Sequence, residues 1–98
     1  MKRVISLHQL FPLGRLLSTS GAMNMMTRTG TPVITLLRRH VVGDWGELCE
    51  SDKKANDLAV MDGTRILSAY VLGAEQEKLW LITEADRSAT TFLIPDEY

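Results

Sequence analysis

Three stretches decide the fold of this chain: RILSAYVL at residues 65–72, KLWLITE at residues 78–84 and SATTFLI at residues 88–94. Each is short, rich in β-branched or aromatic residues and bounded by turn-forming residues, which is typical of β-strands. The connections at residues 73–77 and 85–87 are short enough to join neighbouring antiparallel strands. The sequence therefore predicts a three-stranded antiparallel β-meander.

Alternation along these strands assigns their side chains to two faces. We predict that one face packs on the core: Leu67, Ala69, Val71, Trp80, Ile82, Phe92 and Ile94, with Thr90 as its polar exception. The other face mixes aliphatic side chains with hydroxyls, among them Ser68, Tyr70, Thr83 and Thr91. A sheet that is apolar on both sides needs a second cover, from the N-terminal segment, another helix or a second copy of the chain.

Helical signals precede the meander. Residues 11–17 favour a short edge strand, and the hydroxyls at residues 18–20 cap a helix over residues 21–28. Thr31 and Pro32 favour the start of a second helix, with Pro32 as its first helical residue. Helices followed by strands predict an α+β domain: an N-terminal short strand and two to three helices, then the three-stranded antiparallel β-meander.

A third helix is predicted from the segment that follows Gly43. Asp44-Trp45-Gly46-Glu47 has the form of a capping box, with Asp44 as the cap of a short helix. Ser51 would cap its continuation to about Met61, and Gly63 would end it.

Length and composition limit the classes of protein that this chain can be. Its 98 residues fit one domain, 1–98, in which residues 1–10 form a frayed leader or a short strand. Cys49 is the one cysteine, which we interpret as a small buried hydrophobe. No apolar run reaches the ~20 residues of a membrane span, and the start of the chain lacks the pattern of an export signal. We therefore predict a cytoplasmic protein with no membrane association.

The charges are divided unequally along the chain. Six basic residues and no acidic one precede Asp44, whereas all twelve acidic residues lie from Asp44 onward. The two halves would attract each other within the fold, or the basic half would bind nucleic acid through Arg38 and Arg39.

Several motifs resemble those of a known family. These are LRRHVVGDWG at residues 37–46, RILSAY at 65–70, WLITEADRS at 80–88 and LIPDEY at 93–98. Together they resemble a family of small proteins of bacterial plasmids, phages and integrative elements, sometimes labelled type I restriction subunits. The resemblance covers residues 11–98 and implies a mobile-element setting. It supplies no activity, because the chain lacks the Gly-rich loop and catalytic segment of a methyltransferase.

His40 is the sharpest candidate for chemistry. It ends an apolar helical face beside Asp44, which would orient its ring for general acid or base catalysis. The alternative is a structural role, in which His40 bonds the helix C-terminus or Asp44 and fixes the turn. A small metal-independent ribonuclease would combine His40 with a phosphate clamp and orienting hydroxyls. Those additional residues are Arg65 or Arg87 as the clamp and Ser68, Tyr70 or Thr83 as the hydroxyls.

The hypothesis that we rank first is a non-enzymatic accessory protein of a mobile element. It would bind a host or element-encoded protein and modulate a defence or DNA-processing system, with Trp45, Tyr70 and Arg87 as contact residues. The alternative roles are a core position for Trp45 and turn chemistry for Arg87. A homodimer through the sheet is also compatible with the pattern. We predict no metal, since His8 and His40 are far apart and no ligand spacing is present, and no organic cofactor.

Overall fold

The computed structural model describes residues 9–98, so the first eight residues of the predicted leader lie outside it. Its elements are β1 (Arg15–Ser18), α1 (Ser20–Thr29), α2 (Val33–Val41), α3 (Glu50–Asp62), β2 (Ile66–Leu72), β3 (Glu77–Thr83), β4 (Ala89–Leu93) and a 3₁₀ helix (Pro95–Glu97). The strands form one sheet in the order β1-β4-β3-β2. The α+β class and the antiparallel meander are confirmed, and β1 adds a fourth strand parallel to β4.

The ends of the helices follow local capping chemistry. Thr19 caps α1, because its Oγ1 accepts the N–H of Ala22 at 3.1 Å. Gly63 ends α3 in the left-handed conformation, at φ 77°, and its N–H bonds the carbonyl of Ala59. Both signals were predicted. Pro32 is the N-cap of α2 and not its first helical residue, so that helix begins one residue later than predicted.

The predicted capping box at residues 44–47 does not open a helix. Trp45 C=O accepts the N–H of Ala69 at 3.0 Å, and Glu47 N–H donates to Ala69 C=O at 2.6 Å. This segment therefore lies along β2 as a bridge and cannot coil. Gly46 permits the contact, because its φ is 79° and a Cβ there would lie 2.0 Å from the Ala69 oxygen.

The start of α3 corrects two further predictions. The helix begins at Glu50, and its N-cap is Cys49, two residues before the predicted cap Ser51. Cys49 is exposed and not a buried hydrophobe. Its sulfur lies 3.3 Å from the hydroxyl of Ser51.

The packed face of the sheet is the opposite of the predicted one on β2 and β3, whereas Thr90 and Phe92 of β4 lie on the packed face as predicted. We call it the inner face; it comprises Ile66, Ser68, Tyr70, Leu72, Leu79, Leu81, Thr83, Thr90 and Phe92. Met25 and Met26 of α1 and Leu36 and Leu37 of α2 pack against it. The outer face comprises Arg15, Leu17, Leu67, Ala69, Val71, Lys78, Trp80, Ile82, Ala89, Thr91 and Leu93.

Register explains the difference. Leu81 pairs with Phe92 and Thr83 with Thr90, so even-numbered residues of β4 share a face with odd-numbered residues of β3. The prediction placed Phe92 with Trp80 and therefore misplaced β4 by one residue. It also chose the covered face from apolar content, which is high on both sides.

The two edges of the sheet differ. At the β2 edge, residues 45–47 bond Ala69, while the Asn56 side chain bonds both the N–H and the C=O of Leu67. At the other edge, β1 has β4 as its only strand neighbour within the described residues. One edge is therefore covered, and the other is open as far as residues 9–98 are concerned.

Candidate functional site

A chain of buried polar groups runs through the interior around His40. The last turn of α2 places the His40 ring over the inner face, where Nδ1 lies 2.6 Å from the hydroxyl of Ser68. Nε2 lies 2.9 Å from Thr83 Oγ1, which lies 2.7 Å from Thr90 Oγ1. Thr90 donates to the carbonyl of Leu13 at 2.7 Å. The chain thus links α2, all three meander strands and the segment before β1.

The donor and the acceptor of every hydrogen bond in this buried series follow from its last acceptor, the carbonyl of Leu13. A carbonyl only accepts, so the single hydroxyl hydrogen of Thr90 is used on Leu13. Thr90 must then accept from Thr83, which in turn must accept from Nε2–H of His40. Nδ1 remains as an acceptor for the Ser68 hydroxyl. The hydrogen bonds therefore assign His40 as the neutral Nε2–H tautomer.

Burial keeps this imidazole neutral. His40 has 0% of its surface exposed, and burial lowers its pKa from 6.5 to about 4. The rings of Phe11 and Trp45 stand nearly perpendicular to it, at centroid distances of 5.2 and 5.9 Å. A general acid or base must reach its substrate, and a fully enclosed ring does not. The predicted acid/base role therefore does not fit, and neither does the predicted alternative, because the ring bonds Ser68 and Thr83 and not the turn.

Tyr70 belongs to the interior as well. It is fully buried, its hydroxyl donates to Asp44 C=O at 2.7 Å, and burial raises its pKa well above 10. Arg39 lies over its ring, 4.4 Å from the centroid, and makes a bidentate ion pair with the Asp44 carboxylate. That hydrogen-bonded pairing raises the pKa of Arg39 and lowers that of Asp44. Asp44 thus anchors the turn through Arg39 and caps no helix.

Arg87 is an internal cap. It has a left-handed φ of 62°. Its guanidinium donates to the carbonyls of Thr64 and Ala59 at 2.7 and 2.8 Å, and more weakly to those of Glu84 and Ala85. These bonds satisfy the C-terminal end of α3 and the turn between β3 and β4. The geometry supports turn chemistry and leaves the forked donors unavailable as a phosphate clamp.

Trp45 is a core residue, as its alternative interpretation held. It is 3% exposed, and its indole N–H donates to Asp57 at 3.0 Å. Trp45 and Tyr70 therefore present no side-chain surface to a partner, and Arg87 is held by carbonyls. The predicted contact residues do not form a contact surface.

The predicted basic pair on α2 is divided. Arg38 is exposed, whereas the charge of Arg39 is balanced by Asp44 at 2.7 Å. A phosphate backbone is bound by several free cations that act together, and this helix end offers one.

Arg65 lies on the other side of the sheet from His40. Its guanidinium donates to the Tyr98 hydroxyl and lies 5.3 Å from the centre of that ring. The Tyr98 ring meets Trp80 edge to face, at 5.7 Å and 71°. We call Arg65, Trp80 and Tyr98 the outer-face cluster. The sheet separates it from His40, so no common cleft joins the residues of the predicted ribonuclease site.

The outer-face cluster is the candidate site that sequence reasoning missed. Trp80 was assigned to the core because it is large and apolar. The contrary signal was Lys78, which shares its face two residues earlier and marks that side of β3 as the solvent side. Tyr98 lies outside the predicted strands, so no alternation pattern assigned it to a face. The 3₁₀ helix after β4 brings it back over the sheet.

The described part of the chain contains neither a cluster of metal ligands nor a membrane-spanning helix. No three His, Cys, Asp or Glu side chains come together there as metal ligands. No helix between residues 9 and 98 has the length and apolar character needed to cross a membrane.

Comparison with protein-family models, curated proteins and solved structures gave no match to this chain. The resemblance to mobile-element proteins accordingly rests on the sequence motifs alone.

Proposed function

We propose that this protein is a small non-enzymatic binding module that docks a protein partner on the outer face of its sheet. The observation that carries the proposal is the outer-face cluster, in which Tyr98 contacts both Trp80 and Arg65 on the less covered side of the sheet. Trp, Tyr and Arg are the residue types that supply most of the binding energy at protein interfaces.

The surroundings of the cluster resemble an interface in composition. Its floor is apolar, since Trp80 lies between Ala69 and Leu93, and half-buried Leu67 and Val71 flank Ala69 on the same face. Tyr98 is 63% exposed and is the raised point of this surface. Exposed Lys78 and Arg65 lie at opposite ends of β3 and β2, so a polar rim borders an apolar centre.

The backbone under the cluster is fixed before any partner arrives. Trp80 pairs with Leu93 on one side and with Ala69 on the other, in the interior of the sheet. The Arg65 guanidinium holds the Tyr98 ring by its hydroxyl and its face. A preorganised surface loses less conformational entropy on binding, which favours affinity from a small area.

Placement of the polar residues supports binding over catalysis. The histidine and the hydroxyls that would carry acid/base chemistry are consumed in the buried chain, with each nitrogen of His40 bonded. Arg87 is consumed by backbone carbonyls. The three side chains of the outer-face cluster are residue types suited to contact with a protein partner.

The mobile-element setting belongs to this proposal. It is supported by the resemblance of residues 37–46 and 80–88 to motifs of plasmid, phage and integrative-element proteins. A host or element-encoded protein of a defence or DNA-processing system is the partner that this setting favours, in the cytoplasm.

The test is quantitative affinity capture from the native host, with bound protein and bound nucleic acid both measured. We expect a stoichiometric protein that the wild type captures and that Tyr98→Ala and Arg65→Ala lose by at least about tenfold. Both residues are exposed, so neither change removes a core contact. The matched control is Leu58→Ala, which truncates an exposed apolar residue on α3 and should leave capture unchanged.

Two results would overturn the proposal. One is a partner that all three variants retain, which would place the interface elsewhere. The other is enrichment of RNA or DNA without a stoichiometric protein. Circular dichroism and the thermal midpoint of each variant establish that the fold is kept.

A further inference from the structure

Within the described residues, the outer edge of β1 has no neighbouring strand. Arg15 N–H bonds Ser88 C=O and Thr19 N–H bonds Phe92 C=O, so the odd-numbered residues of this strand face β4. By alternation, the main-chain groups of Leu16 and Ser18 point away from the sheet. Such an edge is a template for another strand.

Apolar side chains stand on both sides of this edge. Leu16 is 51% exposed on the inner side and Leu17 is 40% exposed on the outer side. Met23 of α1 is likewise exposed and shares a groove with them. Native sheets commonly protect edges with charges, bulges or proline, and residues 16–18 contain none of these.

The charges at the two ends of this strand are opposite. Arg15 is exposed at the start, with no ion-pair partner among residues 9–98. At the other end the Glu97 carboxylate accepts from the Thr19 hydroxyl and from the Ile94 N–H. The strand edge is therefore positive at one end and negative at the other, and a two-fold rotation makes it complementary to itself.

We propose that a second copy of this chain pairs with β1 in antiparallel fashion about a two-fold axis at Leu17. Leu16 then exchanges both main-chain hydrogen bonds with Ser18 of the partner subunit, and Ser18 with the partner's Leu16. The two four-stranded sheets become one continuous sheet.

The register brings complementary groups together. Leu17 lies opposite the partner's Leu17 in a non-hydrogen-bonded pair, where side chains are closest. Arg15 lies opposite the partner's Thr19 and so next to the carboxylate of the partner's Glu97. This ion pair occurs at both ends of the interface. The dimer goes beyond the proposed function and leaves the outer-face cluster of each copy accessible.

Molecular mass in solution tests the dimer. Sedimentation of the full chain should show a monomer–dimer equilibrium that Leu17→Lys weakens at least about tenfold, because like charges would meet on the axis. Arg15→Glu should weaken it too, by placing a carboxylate against Glu97. Leu58→Lys, an equal change on exposed α3, should have no effect. A wild type that stays monomeric at millimolar concentration would overturn the proposal.

Cross-linking tests the register. In a Cys49→Ser background, which removes the exposed native thiol, Leu17→Cys should form a disulfide-linked dimer on mild oxidation. Leu16→Cys should not, because the two copies of that residue lie beyond the ~7 Å between Cα atoms that a disulfide spans. Efficient linkage through residue 16 with none through residue 17 would contradict the proposed axis.

Discussion

Replacing His40 with glutamine should flatten the dependence of stability on pH between pH 7 and pH 5. The folded protein holds this ring neutral, with a pKa of about 4, whereas its ordinary value is 6.5. As the pH falls below 6.5, His40 binds a proton in the unfolded chain but stays neutral in the folded chain. The stabilisation is therefore complete above pH 6.5 and is lost as the pH falls toward 4.

The size of the effect follows from the two pKa values. A difference of one unit corresponds to about 1.4 kcal/mol, so complete protonation of the unfolded chain costs the fold about 3 kcal/mol. Between pH 7 and pH 5 the loss is about 2 kcal/mol, because the folded ring is still mostly neutral at pH 5. Full burial of His40 leaves this difference little screened by solvent.

Urea unfolding at pH 7 and pH 5 measures this loss directly. The wild type should lose about 2 kcal/mol more than His40→Gln over that interval. Glutamine is neutral at both values and offers one donor and one acceptor for Thr83 and Ser68. Carboxylates such as Asp44 keep their own pH dependence in both proteins, so the difference between the two isolates the imidazole.

Equal losses in the two proteins would refute this reasoning. They would mean that His40 accepts a proton without breaking the buried chain. A titration of its ring by NMR in the folded wild type supplies an independent check. A midpoint near 6.5 would contradict the enclosed, neutral tautomer even if the glutamine variant failed to fold.

Three further changes test the parts that hold the fold, each by its urea midpoint. Arg87→Met should lower the free energy of unfolding by about 1–3 kcal/mol, because it removes the side-chain donor of the Thr64 carbonyl and leaves the Ala59 carbonyl with the N–H of Gly63 alone. Asn56→Ala should cost a similar ~1–3 kcal/mol, because it leaves the N–H and the C=O of Leu67 without the hydrogen bonds that the Asn56 side chain makes to them. Gly46→Ala should cost more than about 2 kcal/mol, since its Cβ would overlap the Ala69 oxygen and its φ is 79°. An unchanged midpoint in any of them would contradict the contact concerned.

Local signals predicted the elements of this fold well. Thr19 and Gly63 act at short range: Gly63 ends α3 as predicted, and Thr19 is one of the three hydroxyl residues predicted to cap α1. The meander was equally accessible, because its strands are contiguous and their connections short.

Predictions failed where a distant segment supplied the deciding contact. The Asp44-x-x-Glu47 pattern is typical of a helix start, but the main chain of this segment hydrogen-bonds Ala69 at the edge of β2 instead. Arg87 was predicted as a contact residue or a phosphate clamp, but its guanidinium donates to the carbonyls of Thr64 and Ala59. Tyr98 reaches Trp80 only because of the 3₁₀ helix between them. Local sequence patterns predict none of these contacts, because each joins residues that are far apart in the sequence.

Apolar content alone does not predict which face of the sheet packs against the helices. The series of buried hydrogen bonds around His40 explains which face does. Ser68, Thr83 and Thr90 all lie on the inner face, where His40 reaches two of them and the third bonds Leu13. Packing the other face against the helices would leave His40 buried without these partners, at a cost of several kcal/mol. The satisfied polar groups therefore favour this orientation of the sheet. The same selection leaves Trp80 on the outer side, where the proposed binding surface lies.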